Sequence, residues 1–254
     1  MIICKTDSEL AAMRVSGRLA AGVLQRLALA VVPGMTTREL DELARELIRA
    51  RGATSAFLNY RGAPGAVPFP GAICVSVNDE VIHGIPGPRI IQSGDLVSID
   101  VGVKFEGFIG DTATTVMVGV VPPECERLVA TTRRALEAGV AAVRAGAHLS
   151  DVSFAVEQTV RAGDCRVVRE FVGHGVGRDL HEEPQVPNFG KPGHGPVLKA
   201  GMTFCIEPMV NLGVAGVEVL DDQWTVVTCD HRSSAHFEHT VAVLADGVEV
   251  LTLA

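Results

Sequence analysis

Residues 96–118 read LVSIDVGVKFEGFIGDTATTVMV, two β-rich runs joined at Glu106-Gly107. A two-residue connection carrying a glycine between such runs predicts a β-hairpin. With those loop residues, Phe105 pairs with Phe108, Asp100 with Ala113 and Gly102 with Asp111. Side chains alternate across a strand, so Asp100, Gly102, Asp111 and Ala113 share one face. The two aspartates then become diagonal neighbours, roughly 7–8 Å apart at Cα. Their direct partners, alanine and glycine, leave open space beside each carboxylate where a bound group fits.

Two carboxylates converging inside an apolar sheet suffer desolvation and mutual repulsion, so they either share a proton or hold a cation. Glu207 in TFCIEPM (203–209) and Glu238 in HFEHT (236–240) also sit in β-rich apolar runs and raise the count to four acids. Lys104, near the hairpin tip, is the one basic residue in these runs, and a single ammonium does not balance four carboxylates. A metal is the simpler account. For any one acid, a solvent-facing edge strand explains it better; for four acids at matched positions it does not. His174 stands between Gly173 and Gly175 in FVGHGVGRDLHEEPQVPN (171–188), on backbone able to bend close to a ligand, with His181 seven residues on. An oxygen-rich set with one imidazole suits manganese, iron or cobalt, and zinc also fits. Five such ligands suffice for two divalent ions bridged by acids and water, an arrangement that serves hydrolysis.

The chain also repeats itself. Gly34 to Arg51 reads as an amphipathic helix opened by a Thr36/Glu39 capping box, with Leu40, Leu43, Leu47 and Ile48 on one face. Shifted by 112 residues, Gly146-AHLSDVSFAVEQTVRA places Val152, Ala155 and Val160 over Leu40, Leu43 and Ile48. QSGDLVSIDVG from Gln92 matches KAGMTFCIEPM from Lys199, with Asp100 over Glu207, and GDTATTVMVG from Gly110 matches the segment from Phe237, with Asp111 over Glu238. A single duplication of this length implies two halves, roughly 1–120 and 121–254, related by a pseudo-twofold axis. Helices preceding hairpins in each half predict an α+β fold with a central, largely antiparallel sheet. No Pro/Ser-rich linker separates the halves, so residues 1–254 are expected to form one catalytic domain.

Composition bounds the setting. At 47% hydrophobic and 20% charged, 254 residues carry ample core for a globular fold. A net charge of -8 repels polyanions, which argues against nucleic acid or an anionic membrane as partner. Lys5, Asp7 and Glu9 interrupt the apolar run that a signal peptide needs, and no stretch reaches the roughly 18 apolar residues of a membrane span. Six scattered cysteines without a C-x-x-C pair read as free thiols, and the cytoplasm is the expected compartment.

Taken in order and spacing, ICVSVNDEVIHGIP (73–86), SIDVG (98–102), GDTATT (110–115), residues 171–188, MTFCIEPMV (202–210) and EHTVAV (238–243) resemble the methionine aminopeptidases over almost the whole chain. The resemblance implies the pita-bread fold, with helices outside the sheet. It implies Asp100, Asp111, His174, Glu207 and Glu238 as ligands of two divalent metal ions, with a bridging water as nucleophile and Glu207 as general base. His83 and His181 would contact the substrate and its tetrahedral intermediate, and Phe69, Cys74 and Trp224 would line the pocket for the methionine side chain. The implied activity is removal of the initiator methionine from nascent polypeptide N-termini when the second residue is small. Ribosome association is left open, and a monomer is expected. Thirty residues between Glu207 and Glu238 leave no space for the helical insertion of type II enzymes, so type I is implied. Ala66 and Leu180 stand where many relatives carry aromatics, and Phe189 where tyrosine is commoner, which bears on pocket shape. A proline-specific pita-bread peptidase shares the five ligands, but such chains are usually longer; a non-catalytic binding protein of this fold would have lost ligands that are all present here.

Overall fold

The computed structural model describes residues 1–62 and 65–254. Helices α1 (Asp7–Ala30) and α2 (Thr37–Arg49) precede strands β1 (Thr54–Ser55), β2 (Cys74–Val77), β3 (Glu80–Ile82), β4 (Leu96–Phe105) and β5 (Phe108–Met117). The second half repeats the order with α3 (Pro123–Ala142) and α4 (Leu149–Ala162), then the short strands β6 (Arg166–Val167), β7 (Gly173–Gly175) and β8 (Glu182–Val186). It closes with β9 (Thr203–Ile206), β10 (Met209–Asn211), β11 (Val217–Val219), β12 (Val226–Thr228), β13 (Ser234–His236), β14 (Glu238–Leu244) and β15 (Gly247–Val250). Among the described residues, no helix is long and apolar enough to cross a membrane.

A nine-stranded antiparallel sheet runs β1-β4-β5-β14-β9-β7-β8, with β2 sharing the outer edge of β4 and β15 flanking β14. The halves meet at β5 and β14, where Thr112 pairs with His239 and Ala113 with Glu238. The sequence repeat equates Asp111 with Glu238, and therefore Thr112 with His239. Those two equivalent residues face each other, which puts the pseudo-twofold axis between them.

The same symmetry governs the helix starts. Glu39 accepts a hydrogen bond from the Thr36 backbone N–H at 2.7 Å, and Asp151 accepts one from His148 N–H at 3.0 Å. Gly34 and Gly146 both take left-handed φ, 94° and 86°, and each donates to the strand-leading segment, Gly34 to Ile91 O and Gly146 to Leu198 O. The bridges Thr36–Ile90 and His148–Val197 repeat with them.

Strand alternation separates two faces. Val97, Ile99, Val101 and Val103 pack with Leu27, Leu40 and Ile48 beneath α1 and α2, and Phe204, Ile206 and Val241 pack with Val152 and Val160 beneath the second helix pair. Helix α1 approaches β5 closely because Gly17 meets Gly110; a Cβ on Gly110 would lie 2.5 Å from the Gly17 Cα. Asp100, Asp111 and Glu238 are consequently on the opposite face, away from the helices.

Candidate metal centre and active site

The hairpin has the register its sequence predicts, from Leu96–Met117 through Asp100–Ala113 and Gly102–Asp111 to Phe105–Phe108. Glu106 and Gly107 both take left-handed φ, 48° and 83°, the conformation of a two-residue turn that matches strand twist. Pairing of β14 with β5 sets Glu238 beside Asp111, while β9 on the other side of β14 delivers Glu207 one residue past Ile206. Strand β7, paired to β9, brings in His174. All five line one cavity of about 320 Å³, within the size range of small-ligand sites.

Two local readings of the sequence need correction. The space expected over Gly102 is taken by Phe57, since a Cβ there would sit 2.5 Å from the ring. The glycines flanking His174 do not make way for a ligand. Strand β7 is wedged between neighbours, and a Cβ at Gly173 or Gly175 would strike the Cys205 carbonyl at 2.4 Å or the Glu183 carbonyl at 2.2 Å.

The electrostatics of the cluster are unbalanced without a cation. Asp100 Oδ1, Asp111 Oδ1 and Glu238 Oε1 are buried with no hydrogen-bond partner. Burial first, and mutual repulsion second, push the carboxyls of Asp100, Glu207 and Glu238 well above the usual carboxylate range; burial raises Asp111 too. His174 Nδ1 lies 3.0 Å from the Gly175 carbonyl, which can only accept, so the proton is on Nδ1 and Nε2 presents a lone pair. That nitrogen faces Glu207 Oε1 at 3.5 Å and Asp111 Oδ2 at 3.8 Å. Burial, reinforced by His181, holds the His174 imidazole down at about 3, so it does not serve as the cation. Lys104 is exposed and donates instead to the Arg178 carbonyl at 3.3 Å. Three unpartnered carboxylate oxygens gathered in one cavity with an imidazole lone pair are a donor set that fits a divalent metal.

Around this cluster stand the remaining expected residues. His83 has a left-handed φ of 58°, a rare conformation for a non-glycine residue and one that clusters at functional sites. Its ring meets Phe171 and Trp224 edge-on at 5.8 and 6.0 Å, and desolvation there, with His181 adding, lowers it to about 4. His181 contacts the His174 ring at 4.2 Å between centroids. Phe69 and Cys74 are buried on the cavity wall, Cys74 directly opposite Asp100 on β2, and Trp224 packs edge-on against Phe69 at 5.3 Å. Of the three positions that bear on pocket shape, Leu180 lines the cavity, whereas Phe189 packs against the second-half core beneath the Arg169 guanidinium. Ala66 accepts from the Arg61 side chain through its carbonyl.

The structure adds residues that the sequence did not single out. Tyr60 OH hydrogen-bonds His181 Nδ1. His236, 2% exposed, points an unpartnered Nε2 at Glu207 Oε2 from 3.7 Å. The Cys205 thiol also lies against the cluster: its sulfur, a nitrogen of His174 and one carboxylate oxygen each of Asp111 and Glu238 all fall within 4.8 Å of one another. Each of the three stands in an ordinary β-rich or loop context, so only the pairing of distant strands reveals it.

Comparison with known proteins agrees with this architecture. The metallopeptidase family M24 profile matches residues 11–245. Methionine aminopeptidase 1 of Bacillus subtilis is 46% identical over 252 residues, covering 99% of this chain and 99% of that protein. The crystal structure of methionine aminopeptidase from Rickettsia prowazekii superposes with a TM-score of 0.96 at 40% identity, covering all of both chains. That from Thermotoga maritima gives 0.95 at 42% identity with the same coverage. The shared fold is the pita-bread arrangement of the two halves described above. The chain belongs to metallopeptidase family M24 and, within it, to the methionine aminopeptidases.

Proposed function

We propose that this protein hydrolyses the N-terminal methionine from nascent polypeptides when the second residue is small. The observation that carries the reading is the meeting of three unpartnered, buried carboxylate oxygens with the bare His174 Nε2 in an aromatic-walled cavity. Asp100, Asp111, His174, Glu207 and Glu238 would hold two divalent ions, with manganese, iron or cobalt suited to so oxygen-rich a set and zinc also fitting. When bound, such ions supply Lewis-acid polarisation of the scissile carbonyl and an activated water. Glu207 accepts the proton of the attacking water and returns it to the departing amine nitrogen. His83 and His181, which line the same cavity, donate to the substrate carbonyl and to the oxygen of the tetrahedral intermediate. The Tyr60 hydroxyl on His181 Nδ1 holds the ring and leaves Nε2 as its free nitrogen toward substrate. Residues 1–254 act as one catalytic unit, a monomer in the cytosol acting on emerging chain N-termini.

His181→Ala should lower kcat by about 10²–10³-fold, the usual cost of one transition-state donor. Bound metal, measured by elemental analysis, should be unchanged. Loss of metal instead would make His181 a ligand and overturn the five-residue set.

Phe69, Cys74 and Trp224 form an apolar slot for the substrate side chain. Methionine is unbranched and polarizable, so it enters such a slot and gains sulfur–aromatic contact. A β-branched residue meets the walls near the carboxylates, and alanine leaves the slot unfilled. Each missing methylene is worth about 1–3 kcal/mol, so methionine should exceed alanine by a large factor and norleucine by a small one. The test is kcat/KM for Met-Ala-Ser, Met-Lys-Ser, Ala-Ala-Ser and Ala-Pro-Ala. Met-Ala-Ser should be the best of the four; equal rates for Met-Ala-Ser and Ala-Ala-Ser would refute a methionine-selective enzyme, and preference for Ala-Pro-Ala would indicate a proline-specific one.

A further inference from the structure

Cys205 is fully buried on β9, opposite Thr240 of β14; its thiol contacts the Thr240 hydroxyl at 3.5 Å and hydrogen-bonds the Glu238 carboxyl. Strand alternation puts it on the same face as Glu207, two residues on, so it points beneath the carboxylate cluster rather than into the helix-side core. Its sulfur, a nitrogen of His174 and one carboxylate oxygen each of Asp111 and Glu238 lie within 4.8 Å of one another. Two of those partners carry buried oxygens with no hydrogen bond, Asp111 Oδ1 and Glu238 Oε1. A tetrahedral ion with bonds of 2.0–2.3 Å needs donor separations of about 3.3–3.8 Å, so side-chain shifts of roughly 1 Å close the set.

We propose that Cys205 is a latent soft donor of this centre, so that thiophilic divalent ions such as zinc and cadmium take an Asp111–His174–Cys205–Glu238 set. This rests on the metal-centre reading above and extends it by a donor of different chemistry. Hard ions such as manganese prefer carboxylate oxygens and leave the thiol protonated; soft ions favour sulfur. On binding zinc or cadmium the S–H bond breaks, the proton passes to solvent and the sulfur forms the new bond to the ion. The thiol thereby makes the centre selective between metal classes, holding soft ions more tightly than an all-oxygen-and-nitrogen site would.

X-ray absorption at the metal edge, on metal-stripped full-length protein loaded with one equivalent of zinc or cadmium, tests this directly. A sulfur shell, at about 2.3 Å for zinc, should appear in the wild type and in Cys229→Ser, and vanish in Cys205→Ser and Cys205→Thr. Competition titrations should show cadmium losing at least about tenfold in affinity relative to manganese in the Cys205 variants, the size of a 1.4 kcal/mol change. Retained manganese binding in those variants shows that the fold is intact. A shell of only oxygen and nitrogen in the zinc- and cadmium-loaded wild type overturns the proposal, as does a sulfur shell that persists in both Cys205 variants. The underlying metal reading fails separately, by His174→Ala binding manganese as tightly as the wild type.

Discussion

Glu207→Gln should lower kcat by about 10²–10⁴-fold, the usual contribution of a positioned general base, while KM stays within a few fold. Glutamine keeps the shape and one oxygen donor of glutamate but cannot take a proton, so it separates base from ligand. The side chain is well placed for both. Its backbone carbonyl is pinned by the Asn188 amide at 2.9 Å, Oε1 faces His174 Nε2 and Oε2 faces His236 Nε2. With no cation beside it, burial raises this carboxyl, and Asp100 and Asp111 add to the rise. Measurement at saturating metal, with occupancy checked by elemental analysis, removes metal loss as an explanation. A near-normal kcat in a fully loaded variant would assign the base to another residue.

Much of this centre is legible in the primary structure because local rules fix it. A two-residue turn at Glu106-Gly107 sets every pair of the β4–β5 hairpin, and one slip would have reversed which face carries Asp100 and Asp111. The repeat was equally readable, since the same carboxylate positions and helix starts recur in both halves. What local rules do not carry is contact across the sheet. Tyr60 meets His181 and His236 meets Glu207 only because strands far apart in the chain come together. Cys205 looks like any buried strand cysteine until β9 is laid beside β14 and β7. Even correctly placed residues can be misread for cause, as Gly173 and Gly175 show: their lack of side chains answers to neighbouring backbone, not to a ligand. Phe57 filling the space over Gly102 is the same lesson from the other side.

Removal of the metal should abolish turnover, and first-row divalent ions should restore it. Stability should respond as well, with a sign set by the cluster. In the metal-free fold Asp100, Asp111, Glu207 and Glu238 all have raised carboxyls. A raised group contributes stability that is full below its unfolded value, about 4, and that is lost as pH rises through its folded value. The buried histidines act oppositely: His83 and His239 are lowered to about 4, and His174 and His236 to about 3. Their contribution is present above their unfolded value, about 6.5, and is lost as pH falls. Between about pH 4 and 6.5 the two sets oppose each other, whereas from about pH 7 to 8 the histidines are neutral in both states and what remains is the groups raised in the fold, Asp111 at about 7, the other three carboxyls and the buried thiols of Cys74 and Cys205, all with the same sign. The Tm of metal-stripped protein should therefore fall across that upper window. Bound metal removes the charge imbalance and adds about 2.7 kcal/mol at a hundredfold excess over Kd, so the loaded protein should be both more stable and flatter with pH there. Calorimetry with and without chelator, at the two ends of the window, reads both effects. Full activity after exhaustive stripping would remove the metal from the mechanism, and a Tm of the stripped protein that climbs from pH 7 to 8 would overturn the raised carboxyls.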